Sequence, residues 1–190
     1  MYFGKVEITA GFVMLAAAIY CLDSAGIVPL FAGAVFVHEL GHYFALKLAG
    51  GNVRSLRLGA AGAEISADFG KAGYCGETLV YFAGPVASAA LAIGCALAAR
   101  WNLELLTLGG ISLLLGLFNL LPARQFDGGN IARTLCLWAF GRELVILKIL
   151  HYATCSALLG FGIWNMANGE FNLSLLVVSV WLLLGERQGL

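Results

Sequence analysis

Charge is what this sequence has least of. Only 12% of its 190 residues are Asp, Glu, Lys or Arg, while 61% are hydrophobic. A soluble domain carries about 25% charged residues, so there is too little polar surface here to cover a water-facing globule. An integral membrane protein is expected. The formal charges sum to zero and no basic cluster stands out, which removes nucleic acid from the expected partners. Nor is there a CxxC pair: Cys21, Cys75, Cys95, Cys136 and Cys155 are scattered singly, the usage of free thiols packed as small hydrophobes rather than of a redox or zinc-ribbon site. No Pro- or Ser-rich linker and no internal repeat divides the chain, so a single membrane-embedded domain over 1–190 is expected.

What is present is a succession of apolar runs. They predict an α-helical membrane protein of about six spans, near residues 6–22, 27–49, 78–99, 105–121, 145–164 and 171–185. The first run has Lys5 and Glu7 at its start and is long for the apolar stretch of a cleavable leader, so a retained span is expected. The last is short enough to be a tilted cap. Between the second and third spans the period changes. Ala63, Ile65, Ala67 and Phe69 alternate with Glu64, Ser66 and Asp68, the mark of a half-buried strand, and Gly59 to Gly62 supplies a turn. A small β-hairpin over 52–69 at the membrane surface is expected, serving as a connector or as an edge for an extended peptide. In the third span Gly84, Ser88, Ala92 and Ala96 recur every four residues, a stripe on which another helix packs closely.

Positive charge sets orientation. Lys47, Arg54, Arg57 and Lys71 follow the second span and Arg124, Arg133 and Arg142 follow the fourth, with only Arg100 between the third and fourth. Both basic regions and the amino terminus are therefore expected on the cytoplasmic side.

The second span contains His38-Glu39-Leu40-Gly41-His42. Positions i and i+4 lie one above the other on a helix, so both imidazoles can grip one Zn²⁺ while the glutamate reaches a water as general base. In a soluble helix a pattern this short arises by coincidence. Within a run long enough to cross a bilayer, three ionisable groups cost a few kcal/mol each on insertion scales and mark function.

A catalytic zinc takes three protein ligands and keeps a fourth position for water. Three residues compete for the third place. His151 shares its segment with Lys148 and reads as a polar group facing the bundle interior or the interface. Glu64 follows His42 at a distance like that of the glutamate in soluble zincins, but it lies in a strand-like alternation and is free to face water. Asp127 follows the break at Pro122 and precedes Gly128-Gly129, where the backbone is free to turn. It is either a carboxylate aimed at protein or water, or a turn or N-cap aspartate.

The ordered set His38-Glu39-Leu40-Gly41-His42, Ala83-Gly84-Pro85, Asn119-Leu120-Leu121-Pro122 and Asp127-Gly128-Gly129 resembles the site-2 proteases, the intramembrane zinc metalloproteases. It looks nearest the compact bacterial branch that includes stage IV sporulation protein FB. The resemblance runs from the second span to just past the fourth. It implies one zinc held by His38, His42 and Asp127, with Glu39 as the catalytic acid/base, and Gly84, Pro85, Asn119 and Pro122 shaping the site or the substrate path. It also implies a multi-pass protein of the bacterial cell membrane whose active site opens to the cytoplasm. The substrate would be a membrane-associated protein, such as a pro-sigma factor processed in sporulation. Two departures stand out. Ala123-Arg124-Gln125-Phe126 replaces the more apolar, proline-containing approach usual before the aspartate, and Ser88 stands where asparagine commonly follows the Gly-Pro pair. No PDZ- or CBS-like domain is expected, since few residues follow Leu184, so recognition falls to the membrane part or to a separate membrane partner that regulates it. The competing readings are a membrane metal carrier or channel and an inactive scaffold. The first needs more polar groups along a path than the spans offer, and the second has no use for Glu39.

Overall fold

The computed structural model describes residues 2–3, 6–8, 23, 26–59, 62–70, 72–169 and 173–185. These residues are mostly helical, and the chain divides into two compact units, Met1–Gly116 and Leu117–Leu190.

The first unit begins with two short strands, β1 (Tyr2–Phe3) and β2 (Val6–Ile8). The membrane-length helix α1 (Ile27–Leu48) follows, then β3 (Asn52–Gly59) and β4 (Gly62–Asp68), and then the long helix α2 (Gly73–Ala98). Helix α3 (Glu104–Asn119) starts in this unit. The strands form one sheet in the order β1-β2-β3-β4. β3 and β4 pair antiparallel, with Arg57 opposite Glu64, and β2 runs parallel to β3, with Val6 opposite Leu56. Val6–Ile8 is thus strand at the head of the run read as a first span; residues 9–22 of that run lie outside the described residues. Asp23 accepts hydrogen bonds from the Ile27 and Val28 amides at 3.1 and 2.8 Å, which serves the exposed first turn of α1 from outside the helix.

The second unit takes over in the last turn of α3 and contains α4 (Asp127–Phe140), α5 (Val145–Ala167) and α6 (Leu173–Gly185). Gly141, in the left-handed conformation at φ 66°, ends α4 with its amide bonded to the Leu137 carbonyl. An L side chain there would be strained, so glycine permits this stop.

Among the described residues, α1, α2 and α5 are long and apolar enough to cross a membrane, and α3 is a shorter apolar helix. Helix α2 begins five residues before its apolar run, taking in Gly73 to Glu77, and Pro85 lies in its interior.

Burial is inverted relative to a water-soluble protein. In the first unit the buried residues are mostly small or polar, Ala34, His38, Gly84, Pro85, Ser88, Cys95, Ser112 and Gly116 among them, with Leu46 and Val80 as larger apolar members. Phe36, Leu79, Val86 and Ile93 are each more than 60% exposed. The second unit follows the pattern in part, burying Thr134, His151, Cys155 and Ser179 alongside Ile131 and Leu182 while exposing Trp138, Val145 and Trp164. In lipid the apolar surface has no reason to hide, and helices associate through small residues and hydrogen bonds instead.

Candidate metal centre

Helix α1 carries the histidine pair. His38 is buried and His42 half-buried, with ring centroids 4.9 Å apart and planes at 79°. Their Nε2 atoms converge to 3.2 Å. Glu39 is half-buried.

Each ring is held from behind by α2. His42 Nδ1–H donates to the Val80 carbonyl at 2.8 Å. A carbonyl only accepts, so the proton is on Nδ1 and the Nε2 lone pair points forward. Pro85, which has no N–H to donate, lies inside α2 just beyond this turn. His38 Nδ1 lies 2.9 Å from Ser88 Oγ, and that contact is buried.

Two close approaches of α2 to α1 depend on glycine. A Cβ at Gly84 would lie 2.7 Å from His38 Nε2 and nearer still to His42 Nε2, inside the space the two Nε2 atoms face. A Cβ at Gly41 would meet the Ala83 carbonyl and lie 2.7 Å from the Ala87 methyl. Gly84 therefore leaves the room between the imidazoles, and Gly41 brings the backbones near enough for α2 to reach them.

This arrangement fits a zinc ion. Two nitrogens at about 2.0–2.1 Å from a tetrahedral ion are themselves about 3.3 Å apart, close to the Nε2 separation. Both Nδ1 atoms are engaged by oxygen, as they are in metal-ligating histidines.

In the second unit, Asn119 is the last residue of α3, and a tight turn leads from it to α4. The Ala123 amide bonds to the Leu121 carbonyl at 2.8 Å and the Phe126 amide to the Ala123 carbonyl at 3.0 Å. Pro122 is half-buried in this turn. Asp127 is half-buried and is the first helical residue; Phe126, with extended φ and ψ, occupies the N-cap position. The aspartate is thus inside the helix rather than capping it. Gly128 and Gly129 press on the turn itself, where a Cβ would run into the Leu120 and Ala123 carbonyls. The Arg124 amide donates to His151 Nδ1 at 3.3 Å, and Gln125 Nε2 donates to the Leu182 carbonyl at 3.1 Å. These bonds tie the turn to α5 and α6, and they give His151, which is buried, the interior polar role that its place in a span suggested.

A pocket in this unit is lined by Pro122, Arg124, Gly129, Arg133, Glu143 and His151, among others. Glu143 pairs with Arg133, and with Arg124 at 3.7 Å. The hydrogen bond from Arg133 holds its carboxyl below the usual carboxylate range; burial opposes this, and the charges of Arg133, Arg124 and Lys148 add to it.

The first unit therefore brings together His38, His42 and Gly84, with Pro85 in the adjoining turn. Asn119, Pro122 and Asp127 belong to one turn of the second. The sequence reading missed the Val80 carbonyl and Ser88 hydroxyl behind the rings. Ser88 was accessible in principle, one helical turn beyond Gly84 on the same stripe; a backbone carbonyl leaves no signal in residue identity.

The Peptidase M50B-like family matches the chain over residues 11–186. A zinc metalloprotease of Methanocaldococcus jannaschii is 29% identical over 164 residues, covering 82% of this chain and 46% of its own length. Rip3 of Mycobacterium tuberculosis is 31% identical over 183 residues, covering 87% of this chain and 44% of its own. The chain thus spans about half the length of these curated relatives. Among solved structures, the site-2 protease from Methanocaldococcus jannaschii is similar at a TM-score of 0.72 and 26% identity, over 99% of this chain and 92% of that one.

Proposed function

The chain belongs to the M50B-like peptidase family, and from that membership we propose that it is an intramembrane zinc metalloprotease, hydrolysing a peptide bond in or near the membrane-spanning segment of a membrane-associated protein. The observation that carries the proposal is the convergence of the two imidazole Nε2 atoms on a membrane-length helix, with Glu39 next to the first in the chain.

In this reading His38 and His42 are two zinc ligands and Asp127 is the third. Asp127 is supported by its place in the ordered family motif and by its position inside the helix rather than at the cap. Zinc, when bound, supplies a Lewis acid for the peptide carbonyl and lowers the pKa of a water to about 7. Glu39 takes the proton of the attacking water and passes it to the leaving amine. His38 and His42 each have Nδ1 on an oxygen of α2 and Nε2 turned forward. Asn119, Pro122, Gly84 and Pro85 shape the site or the substrate path, Gly84 by leaving room beside the two Nε2 atoms. A helical substrate must unwind locally, because its carbonyls are already hydrogen-bonded.

The proposal extends to the surroundings. It takes the protein as one domain of the bacterial cell membrane with six spans, its amino terminus and active-site opening toward the cytoplasm. The β3–β4 pair lies at the membrane surface. A pro-sigma factor processed in sporulation is the substrate proposed, with a membrane partner regulating access.

Glu39→Gln should keep zinc and the fold yet abolish cleavage of a co-expressed membrane substrate, a loss of roughly 10²–10⁴-fold or more. Wild-type cleavage by that variant would end the mechanism. Metal analysis of purified Asp127→Ala and Glu64→Ala decides the third ligand: the first should lose zinc and the second retain it, and the opposite pattern reassigns the role.

A further inference from the structure

The two histidines are held by different kinds of group. His42 is fixed by a backbone carbonyl, which no substitution at Val80 removes. His38 is fixed by a side chain, and that side chain, Ser88, is itself fully buried. Ser88 is held in turn. The Ser112 hydroxyl on α3 donates to the Ser88 carbonyl at 3.0 Å, and a Cβ at Gly116 would come within 2.9 Å of the Ser88 Cβ. The hydroxyl that meets the imidazole therefore sits on backbone pinned from a third helix, with little freedom to move away.

We propose that Ser88 is the positioning residue of the metal centre: its hydroxyl accepts the His38 Nδ1–H, selects the tautomer whose Nε2 lone pair faces the ion, and holds the ring in the plane that meets His42. The inference rests on the reading of His38 and His42 as zinc ligands. The chemistry follows from the donor inventory. A ring that gives its Nε2 lone pair to a metal must carry its proton on Nδ1, and a buried Nδ1–H with no acceptor carries a desolvation cost. Beside His38 Nδ1 lies the buried Ser88 Oγ, which can accept it. With it removed, this hold on Nδ1 is lost and the proton can move to Nε2, where it competes with the ion. Partners of this kind typically change metal affinity by roughly 10–100-fold.

The test is zinc affinity of the purified full chain by chelator competition, together with the visible spectrum of its cobalt-loaded form. Ser88→Ala removes one oxygen and adds no volume; it should bind zinc roughly 10–100-fold more weakly, with altered cobalt bands. Ser88→Cys keeps the size with a poor acceptor and should fall between the two, which keeps the idea testable should Ser88→Ala fold badly. Ser112→Ala deletes a buried hydroxyl of the same helix contact that does not touch the ring; the Gly116 contact still backs Ser88, so this variant should lose clearly less zinc affinity than Ser88→Ala. Two results overturn the proposal: wild-type affinity in Ser88→Ala or Ser88→Cys, or an equal loss in Ser112→Ala, which would reduce the effect to packing. Failure of the underlying reading looks different. In that case the wild type itself binds no zinc, or His38→Ala binds it unchanged.

Discussion

Glycine does two different jobs in the two units, and the contrast shows how the candidate site is built. On α2, Gly84 makes room for a neighbour: the atoms a Cβ would strike are the Nε2 atoms of α1. In the turn before α4, Gly128 and Gly129 make room for the chain's own backbone, against carbonyls only a few residues upstream. The first use creates a space in which chemistry can occur. The second fixes the approach and exit of a single carboxylate-bearing turn. Substitution should therefore damage ligand binding in one region and folding in the other.

The largest expected effect lies at Gly84. Gly84→Ala should reduce zinc affinity roughly a hundred-fold or more, as loss of ligand geometry does, while circular dichroism shows helix content unchanged. Wild-type zinc affinity in that variant would abolish the distinction. Next comes Gly128→Ala, expected to lower stability by about 1–3 kcal/mol through overpacking against the Leu120 carbonyl, measured by thermal unfolding in detergent. No loss of stability, or the gain that Ala brings over Gly at an exposed helical site, would show that the turn gives way freely. The smallest effect is at Glu143, a pair with over a third of each side chain exposed. Glu143→Gln should cost less than about 1 kcal/mol at neutral pH. Because the folded carboxyl is held below its ordinary range, this contribution is present above the unfolded carboxylate pKa and disappears as pH falls through the folded one. Wild type and variant should thus converge in stability under acid conditions. A gap that persists there would mean the pair contributes through packing.

Much of this was legible in the sequence, for identifiable reasons. An apolar run of membrane length has few alternatives to a helix, so α1, α2 and α5 stand out without any structure. The four-residue spacing of His38 and His42 puts their rings on one face whatever lies around them. The alternation from Ala63 to Asp68 had the period of a strand, and β4 occupies that stretch. What could not be read is set by partners distant in the chain. Val6–Ile8 looks like the head of an apolar span because three residues carry no usable period; its strand state comes from pairing with Leu56–Leu58. Ser88 read as a packing residue because its stripe is one of small residues, and only its distance to His38 reveals the hydroxyl's role. Gly84 stood in the same stripe and, through the family resemblance, among the site-shaping residues; the stripe alone did not show that a pair of imidazoles faces it.

The contact at Gly41 has a consequence for traffic. With the Ala83 carbonyl and Ala87 methyl pressed against it, α1 and α2 meet at backbone distance, whereas an incoming helix is about 10–12 Å across. That seam is closed at Gly41, so under the proposed function a client polypeptide would have to arrive by another flank of the histidine-bearing helix.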